Sequence, residues 1–139
     1  MGELAEHIVN HPFLATGFLA LLAAVVFFEI RQRAQGQTQV GPAQAVRLMN
    51  AGAVVIDVRS AEDFRKGHIV NARNVELAQI NAENPALKKH KSKILITVCD
   101  NGIVSNRAAA LLRKAGFEQV VSLKGGLNAW RAENLPLVK

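Results

Sequence analysis

An uninterrupted apolar block near the amino terminus places the strongest constraint on how this chain can fold. Residues 13–28 contain no charge, and Pro12, a good first-turn residue, directly precedes them. With its flanks the block covers residues 12–30, close to the roughly 20 residues that span a bilayer as a helix. It is apolar on every side, which suits lipid better than a half-buried surface position. The sequence therefore predicts one transmembrane helix over residues 12–30.

Two other interpretations of the block stay open. A cleaved signal peptide needs a positive region before its apolar core and small residues at its cleavage site. Here Glu3 and Glu6 precede the core, and Val-Val-Phe-Phe-Glu ends it. A buried helix of a soluble domain would be unusually apolar. We favour a retained anchor, with residues 1–11 as its amino-terminal flank.

The charges around the block predict its orientation. Arg31 and Arg33 follow it at once, and no lysine or arginine precedes it. The positive-inside rule then places the rest of the chain in the cytoplasm. We expect a single-pass protein of the inner (cytoplasmic) membrane. Residues 31–39 are mostly polar and, from residue 34 on, lack periodicity, which predicts a linker before one domain over residues 40–139.

Composition narrows the classes of partner and cofactor. The 139 residues include one cysteine, which excludes an intrachain disulfide and a multi-cysteine zinc site. We expect no metal and no organic cofactor. Residues 1–30 hold three of the 11 acidic residues and none of the 17 basic ones, so the remainder carries 8 acids and a formal charge of +9. Anionic lipid is the expected partner of this basic part, and other membrane proteins are possible partners. No nucleic-acid motif accompanies the basic run at residues 88–93.

The rest of the chain alternates between strand and helix patterns. Short β-branched runs bounded by Gly are typical of strands buried on both faces, and this alternation predicts a parallel α/β sheet with helices on both faces. Strands are expected at residues 53–58, 67–70, 94–98 and 119–123. Helices are expected after Pro42, after an N-cap at Ser60, in pieces within 76–90, over 105–115, and around Leu127 and Trp130.

Cys99 is the candidate for chemistry, because it ends the most apolar strand and begins a loop that enters a helix at Ser105. Such a strand–loop–helix turn aims backbone N–H groups inward and sets the positive end of the helix beside the thiol. Both effects favour the thiolate. Gly102 can adopt the positive φ of a tight cradle. The alternative is an inert buried cysteine, the usual state of a lone intracellular thiol.

The domain resembles the rhodanese-homology (sulfurtransferase) family through pieces that occur in order along the chain. They resemble the family's D-V-R, E-F-x-x-G-H-I-x-G-A-x-N, C-x-x-G-x-x-S and L-x-G-G-x-x-x-W patterns. Ala108, Ala109 and Leu112, with Gly116-Phe117, resemble the helix that follows the active-site loop. In this chain the pieces are Asp57-Val58-Arg59, Phe64 to Asn74, residues 99–105, Gly116-Phe117, and Leu123 to Trp130.

The resemblance implies a rhodanese-like fold and a carrier of sulfane sulfur. Cys99 would take sulfur from a donor such as thiosulfate, hold it as a persulfide and pass it to a thiol or another nucleophile, which can be a small molecule or a protein. The substrate-binding loop would comprise Asp100, Asn101, Gly102, Ile103, Val104 and Ser105. Active thiosulfate enzymes of the family usually carry Arg or Lys in this loop, whereas this chain has Asp100 and Val104. An anion beside the nucleophile disfavours an anionic donor.

Three residues outside the loop are expected to support it. Asp57 and Arg59 are expected to form a structural polar network under the loop, and His68 is expected to anchor a turn. Two other functions stay open. The domain could be a catalytically weak or inactive docking module, which the acidic loop favours. A phosphatase would need Arg six residues after the cysteine, where this chain has Ser105.

Overall fold

The computed structural model describes residues 2–3, 6, 10–36 and 38–139. The chain divides into two compact units, Met1–Gly36 and Gln37–Lys139.

The first unit contains one long helix, α1 (Pro12–Gly36). Its segment Pro12–Arg31 is long and apolar enough to cross a membrane, and none of it is buried inside the protein. The helix begins at Pro12, whose carbonyl accepts a hydrogen bond from the Thr16 hydroxyl at 2.9 Å. The helix continues through the first part of the expected linker at 31–39 and ends at Gly36. Arg, Gln and Ala are good helix formers, so a polar composition alone does not end a helix.

The second unit is built on a five-stranded sheet in which all paired strands are parallel. The strand order is β1-β5-β4-β2-β3. The three central strands are short, apolar and almost entirely buried, as the sequence patterns predict. The strands are β1 (Gln39–Val40), β2 (Val54–Asp57), β3 (Arg73–Asn74), β4 (Leu95–Val98) and β5 (Val120–Leu123).

Helices cover both faces of this sheet and bury a separate apolar cluster on each. Ile56 and Leu95 face one cluster, which α5 completes, while Val55 and Ile96 face the other. The alternation along each strand assigns neighbouring residues to opposite faces. The helices are α2 (Pro42–Asn50), α3 (Ala61–Lys66), a 3-10 turn (Leu77–Gln79), α4 (Pro85–Lys88), α5 (Ile103–Lys114) and α6 (Gly126–Ala132).

The expected strand at 67–70 is wrong. His68 instead pairs with Val138 in an isolated antiparallel bridge, through two backbone hydrogen bonds of 2.8 Å. The sheet also contains two strands that the sequence patterns did not predict, β1 and β3, each only two residues long. Because the partner of His68 is far away in sequence, local periodicity could not reveal it.

The sequence signals for helix ends agree better with the structure than the strand pattern at 67–70. Ser60 caps α3 by accepting the backbone N–H of Asp63 at 3.2 Å, as expected. Pro85 begins α4 rather than interrupting a helix, since proline is tolerated in the first turn. Helix α5 begins at Ile103, two residues before the expected start, and ends beside Gly116. The sheet and helices confirm the predicted α/β class.

Candidate active site

The carboxyl ends of β2 and β4 define the site. Asp57 pairs with Val98 in the parallel register, so the segments that begin at Val58 and Cys99 leave the sheet side by side. In parallel α/β sheets, ligands bind outside this edge. Gly102 links the loop to α5 with φ of 93°, a conformation that disfavours side chains with a Cβ.

The thiol of Cys99 lies inside a cradle of hydrogen-bond donors. Its Sγ accepts the backbone N–H of Gly102 at 3.0 Å and of Ser105 at 3.3 Å. The Ser105 hydroxyl lies 3.4 Å from Sγ, and the side-chain oxygen of Asn101 lies 3.8 Å away. The Asn101 oxygen also accepts the N–H of Ile103 at 3.0 Å, which fixes the turn. Two backbone N–H groups of the loop therefore point at the sulfur and donate to it.

The glycine pair before α6 holds the outer side of the loop. The carbonyl of Cys99 accepts the N–H of Leu127 at 2.8 Å, and the carbonyl of Asp100 accepts the N–H of Asn128 at 3.0 Å. Gly126 adopts φ of 58°, and a Cβ there would overlap the Cys99 carbonyl oxygen and lie 2.7 Å from the Asp100 carbonyl carbon. Only glycine permits this close approach. Sequence analysis identified the pair as part of a family motif but did not predict this contact.

A buried ion pair supports the loop from below. The Arg59 guanidinium donates to the Asp57 carboxylate at 2.7 Å and to the Gly67 carbonyl at 2.7 Å. Both side chains are nearly inaccessible, with 6% and 1% exposed. Burial alone would lower the pKa of Arg59, but the hydrogen bond and charge of Asp57, with a further contribution from Asp100, raise it above its usual value. Asp57 and Arg59 therefore form a buried, hydrogen-bonded ion pair next to the loop.

A cavity of about 240 Å³ opens above the thiol. The charged groups on its wall are Arg59, Asp63 and Asp100. Asp100 is half exposed and lies 3.6 Å from the Arg59 guanidinium, which Asp57 already neutralises. The wall is therefore acidic on balance. The remaining lining residues are Val58, Cys99, Asn101 and Val104.

The structure places the other predicted residues as follows. Gly102 and Ser105 reach the sulfur through their backbone N–H groups, whereas the Ile103 side chain is 69% exposed and points away from the core. His68 does not line the cavity; its ring stacks on Phe64, and its Nδ1 lies 2.8 Å from the Phe64 carbonyl. Sequence analysis did not single out Asp63 and Val58 as wall residues, although both lie in or next to the matched motifs.

This fold and this cysteine loop identify the class of protein. Residues 41–133 match the rhodanese-like domain family, and the chain belongs to that family. The predicted resemblance is thus confirmed.

Three individual proteins are similar to this chain. The chain is 40% identical to "Uncharacterized protein YibN" of Escherichia coli K12, over 100% of this chain and 99% of that protein. It is 35% identical to "Thiosulfate sulfurtransferase GlpE" of Stutzerimonas stutzeri, over 67% of this chain and 84% of that enzyme. Among solved structures, the BH2092 protein of Bacillus halodurans superposes with a TM-score of 0.67 at 26% identity, covering 84% of this chain and 85% of that one.

Proposed function

We propose that this chain is a membrane-anchored sulfurtransferase that carries sulfane sulfur as a persulfide on Cys99 and passes it to a thiol or another nucleophile. The observation that carries the proposal is the cradle, in which two backbone N–H groups point at one buried sulfur at the base of a cavity. The similarity to thiosulfate sulfurtransferases supports the same chemistry.

The reaction is two nucleophilic displacements at sulfur. The Cys99 thiolate attacks the outer sulfur of the donor, a new S–S bond forms, and the donor's S–S bond breaks as its leaving group departs with the electron pair. An acceptor nucleophile then attacks the outer sulfur of the persulfide and releases the Cys99 thiolate. The protein is neither oxidised nor reduced over the cycle, so its own residues suffice.

The cradle serves several stages of this cycle. Its donors from Gly102 and Ser105 stabilise negative charge on Sγ before attack and after release. In the persulfide the outer sulfur lies about 2 Å from Sγ, which places it at the base of the cavity. Fixed N–H dipoles need no rearrangement between these states, which is the condition for electrostatic stabilisation of a transition state.

The acidic wall indicates the class of sulfur donor. A doubly charged anion such as thiosulfate meets Asp63 and Asp100, while the one lining cation, Arg59, is already paired. We propose that a neutral or protein-bound persulfide donor reacts faster here than thiosulfate. The charge pattern disfavours the dianion without affecting the cradle.

Neutralising Asp100 tests the donor class. Asp100→Asn is expected to raise kcat/KM for thiosulfate about tenfold, since one like charge near a dianion at partly exposed sites weakens binding by roughly this factor. The rate with a neutral persulfide donor should change less than twofold. Glu62→Gln, which removes an exposed carboxylate outside the cavity wall, is the matched control. Equal changes for both donors would reject the acidic-wall argument.

A second candidate function is a docking module without turnover. It is favoured by two apolar side chains at the start of α5, Ile103 and Val104, which are 69% and 39% exposed beside the cavity. Exposed apolar groups next to a loop are a usual feature of protein contacts. The two functions differ in whether Cys99 is needed.

We propose further that α1 anchors the chain in the inner (cytoplasmic) membrane with the rhodanese-like domain in the cytoplasm. Arg31 at the carboxyl-terminal end of the span and the +9 charge of residues 31–139 support this orientation. Anionic headgroups would attract the exposed Lys88, Lys89, Lys91 and Lys93. An alkaline phosphatase fused after Lys139 is expected to stay inactive in a bacterial host. An active periplasmic fusion would reverse the topology.

A further inference from the structure

A chain of buried hydroxyl groups runs away from the sulfur into the sheet. The Ser105 hydroxyl lies 3.4 Å from Cys99 Sγ and 2.9 Å from the hydroxyl of Ser122. Ser105 is 0% exposed and Ser122 is 1% exposed, so water does not compete for these bonds. Ser122 lies on β5, beyond the loop that carries the other thiol contacts.

The position of Ser122 is unusual for a strand of this kind. Its neighbours Val120, Val121 and Leu123 are apolar, and β5 packs within the central part of the sheet. A buried hydroxyl is unfavourable unless it is hydrogen-bonded. In the part of the chain that the structure describes, the Ser122 hydroxyl forms a hydrogen bond with the Ser105 hydroxyl. Ser122 therefore contributes a polar contact directed toward the site.

The number of protons on these groups determines which of them donates and which accepts in the two hydrogen bonds. A serine hydroxyl has one proton, and a thiolate or persulfide sulfur can only accept. When Sγ is anionic, Ser105 must donate to Sγ, and its oxygen is then free to accept the proton of Ser122. The anion thus receives a third donor beside the two N–H groups. When the sulfur carries its proton, the thiol donates to the Ser105 oxygen and the Ser105 hydroxyl donates to Ser122.

We infer that Ser122 is a positioning residue that acts through Ser105 to stabilise anionic sulfur at Cys99. The inference rests on the proposed sulfurtransferase function, and it adds a residue outside the loop to the machinery. Hydrogen bonds in such chains polarise one another, so the donation from Ser122 strengthens the bond from Ser105 to sulfur.

The single cysteine makes a direct test possible, because any thiol alkylation of the full-length protein in detergent reports on Cys99. The rate of alkylation by iodoacetamide is measured against pH. Ser122→Ala is expected to move the midpoint of this profile to higher pH and to slow persulfide formation about two- to tenfold, the range for losing one hydrogen bond. Ser122→Thr, which keeps the hydroxyl, should restore both.

Two comparisons separate this role from a structural one. Ser105→Ala should shift the profile at least as far, and the double variant with Ser122→Ala should shift it no further, because both act through one chain. Thr97→Val is the matched control. Thr97 is equally buried on the neighbouring strand, but its hydroxyl bonds the Ser105 carbonyl at 2.8 Å, so its profile should match the wild type.

The outcomes are distinct for the two proposals. An unchanged midpoint in folded Ser122→Ala, or additive shifts in the double variant, would overturn the role of Ser122 while leaving the sulfurtransferase proposal intact. A wild-type protein that alkylates normally but never forms a persulfide would overturn the proposed function. If Ser122→Ala does not fold, the pair Ser122→Val and Ser122→Thr decides, because the two side chains have the same shape and the inference requires a shift in the first, which lacks the hydroxyl, and none in the second.

Discussion

Replacing Arg59 with methionine is expected to lower the free energy of unfolding by about 3–5 kcal/mol, the usual effect of removing one partner of a buried ion pair. Arg59 satisfies the 1% exposed carboxylate of Asp57 and the carbonyl of Gly67. Methionine fills similar volume but donates no hydrogen bond, so a buried carboxylate loses its main partner. Urea unfolding of the full-length protein in detergent, followed by the fluorescence of Trp130, measures the difference.

The expected loss is large because the Arg59–Asp57 ion pair is buried. A matched variant in an exposed ion pair tests whether burial is the cause. Lys66 also pairs with carboxylates, Glu62 at 3.8 Å and Asp63 at 3.7 Å, but Lys66 and Glu62 are largely exposed and Asp63 is about half exposed. Lys66→Met should therefore change stability by less than about 1 kcal/mol. Adding Asp57→Leu to Arg59→Met should recover part of the loss, because no unpaired charge remains. A loss below about 1 kcal/mol for Arg59→Met alone would contradict the proposed support of the loop.

Removing the sulfur of Cys99 is expected to abolish sulfur transfer while leaving the domain folded. Cys99 is small and 3% exposed, and its loop is held mainly by backbone contacts from Leu127 and Asn128. Cys99→Ala therefore removes the nucleophile without removing the loop. Cys99→Ser keeps a hydrogen-bonding group of similar size but is a far weaker nucleophile. Transfer of sulfur from a persulfide donor to a thiol acceptor is the assay.

The same two variants separate enzyme from docking module in cells. A sulfurtransferase loses its cellular function in both, whereas a docking module that uses the exposed Ile103 and Val104 keeps it. A strain carrying Cys99→Ala at normal protein level that behaves like wild type would therefore support docking. The domain's melting temperature serves as the control for folding.

The sequence predicted the parts of the fold that depend on local pattern. The apolar runs at 53–58 and 94–98 are strands because they must be buried on both faces, and composition alone conveys that. The failures involve partners that are distant along the chain. His68 pairs with Val138, and β3 forms at two polar residues because a neighbouring strand offers its edge. No periodicity marks either contact.

The residues of the site likewise divide into those that the local sequence predicts and those that it does not. The turn after Cys99 was predictable, since a strand end, a glycine and a helix start are adjacent in sequence. The supports of that turn were not, because Gly126 and Ser122 reach it from the next strand and helix. Glycine before a helix indicates a tight turn, but not which carbonyl will lie against it. The family motif pointed to the glycine pair, whereas nothing local pointed to Ser122.

The most direct test of the central claim is the intact mass of the purified full-length protein after incubation with sulfur donors. A neutral persulfide donor, a protein persulfide and thiosulfate are each supplied in excess, and the adduct is then challenged with a thiol acceptor. The account predicts a gain of one sulfur atom in the wild-type protein, none in Cys99→Ala, and a return to the original mass after the acceptor is added. Failure to gain this sulfur with every donor, or an equal gain in Cys99→Ala, would contradict it.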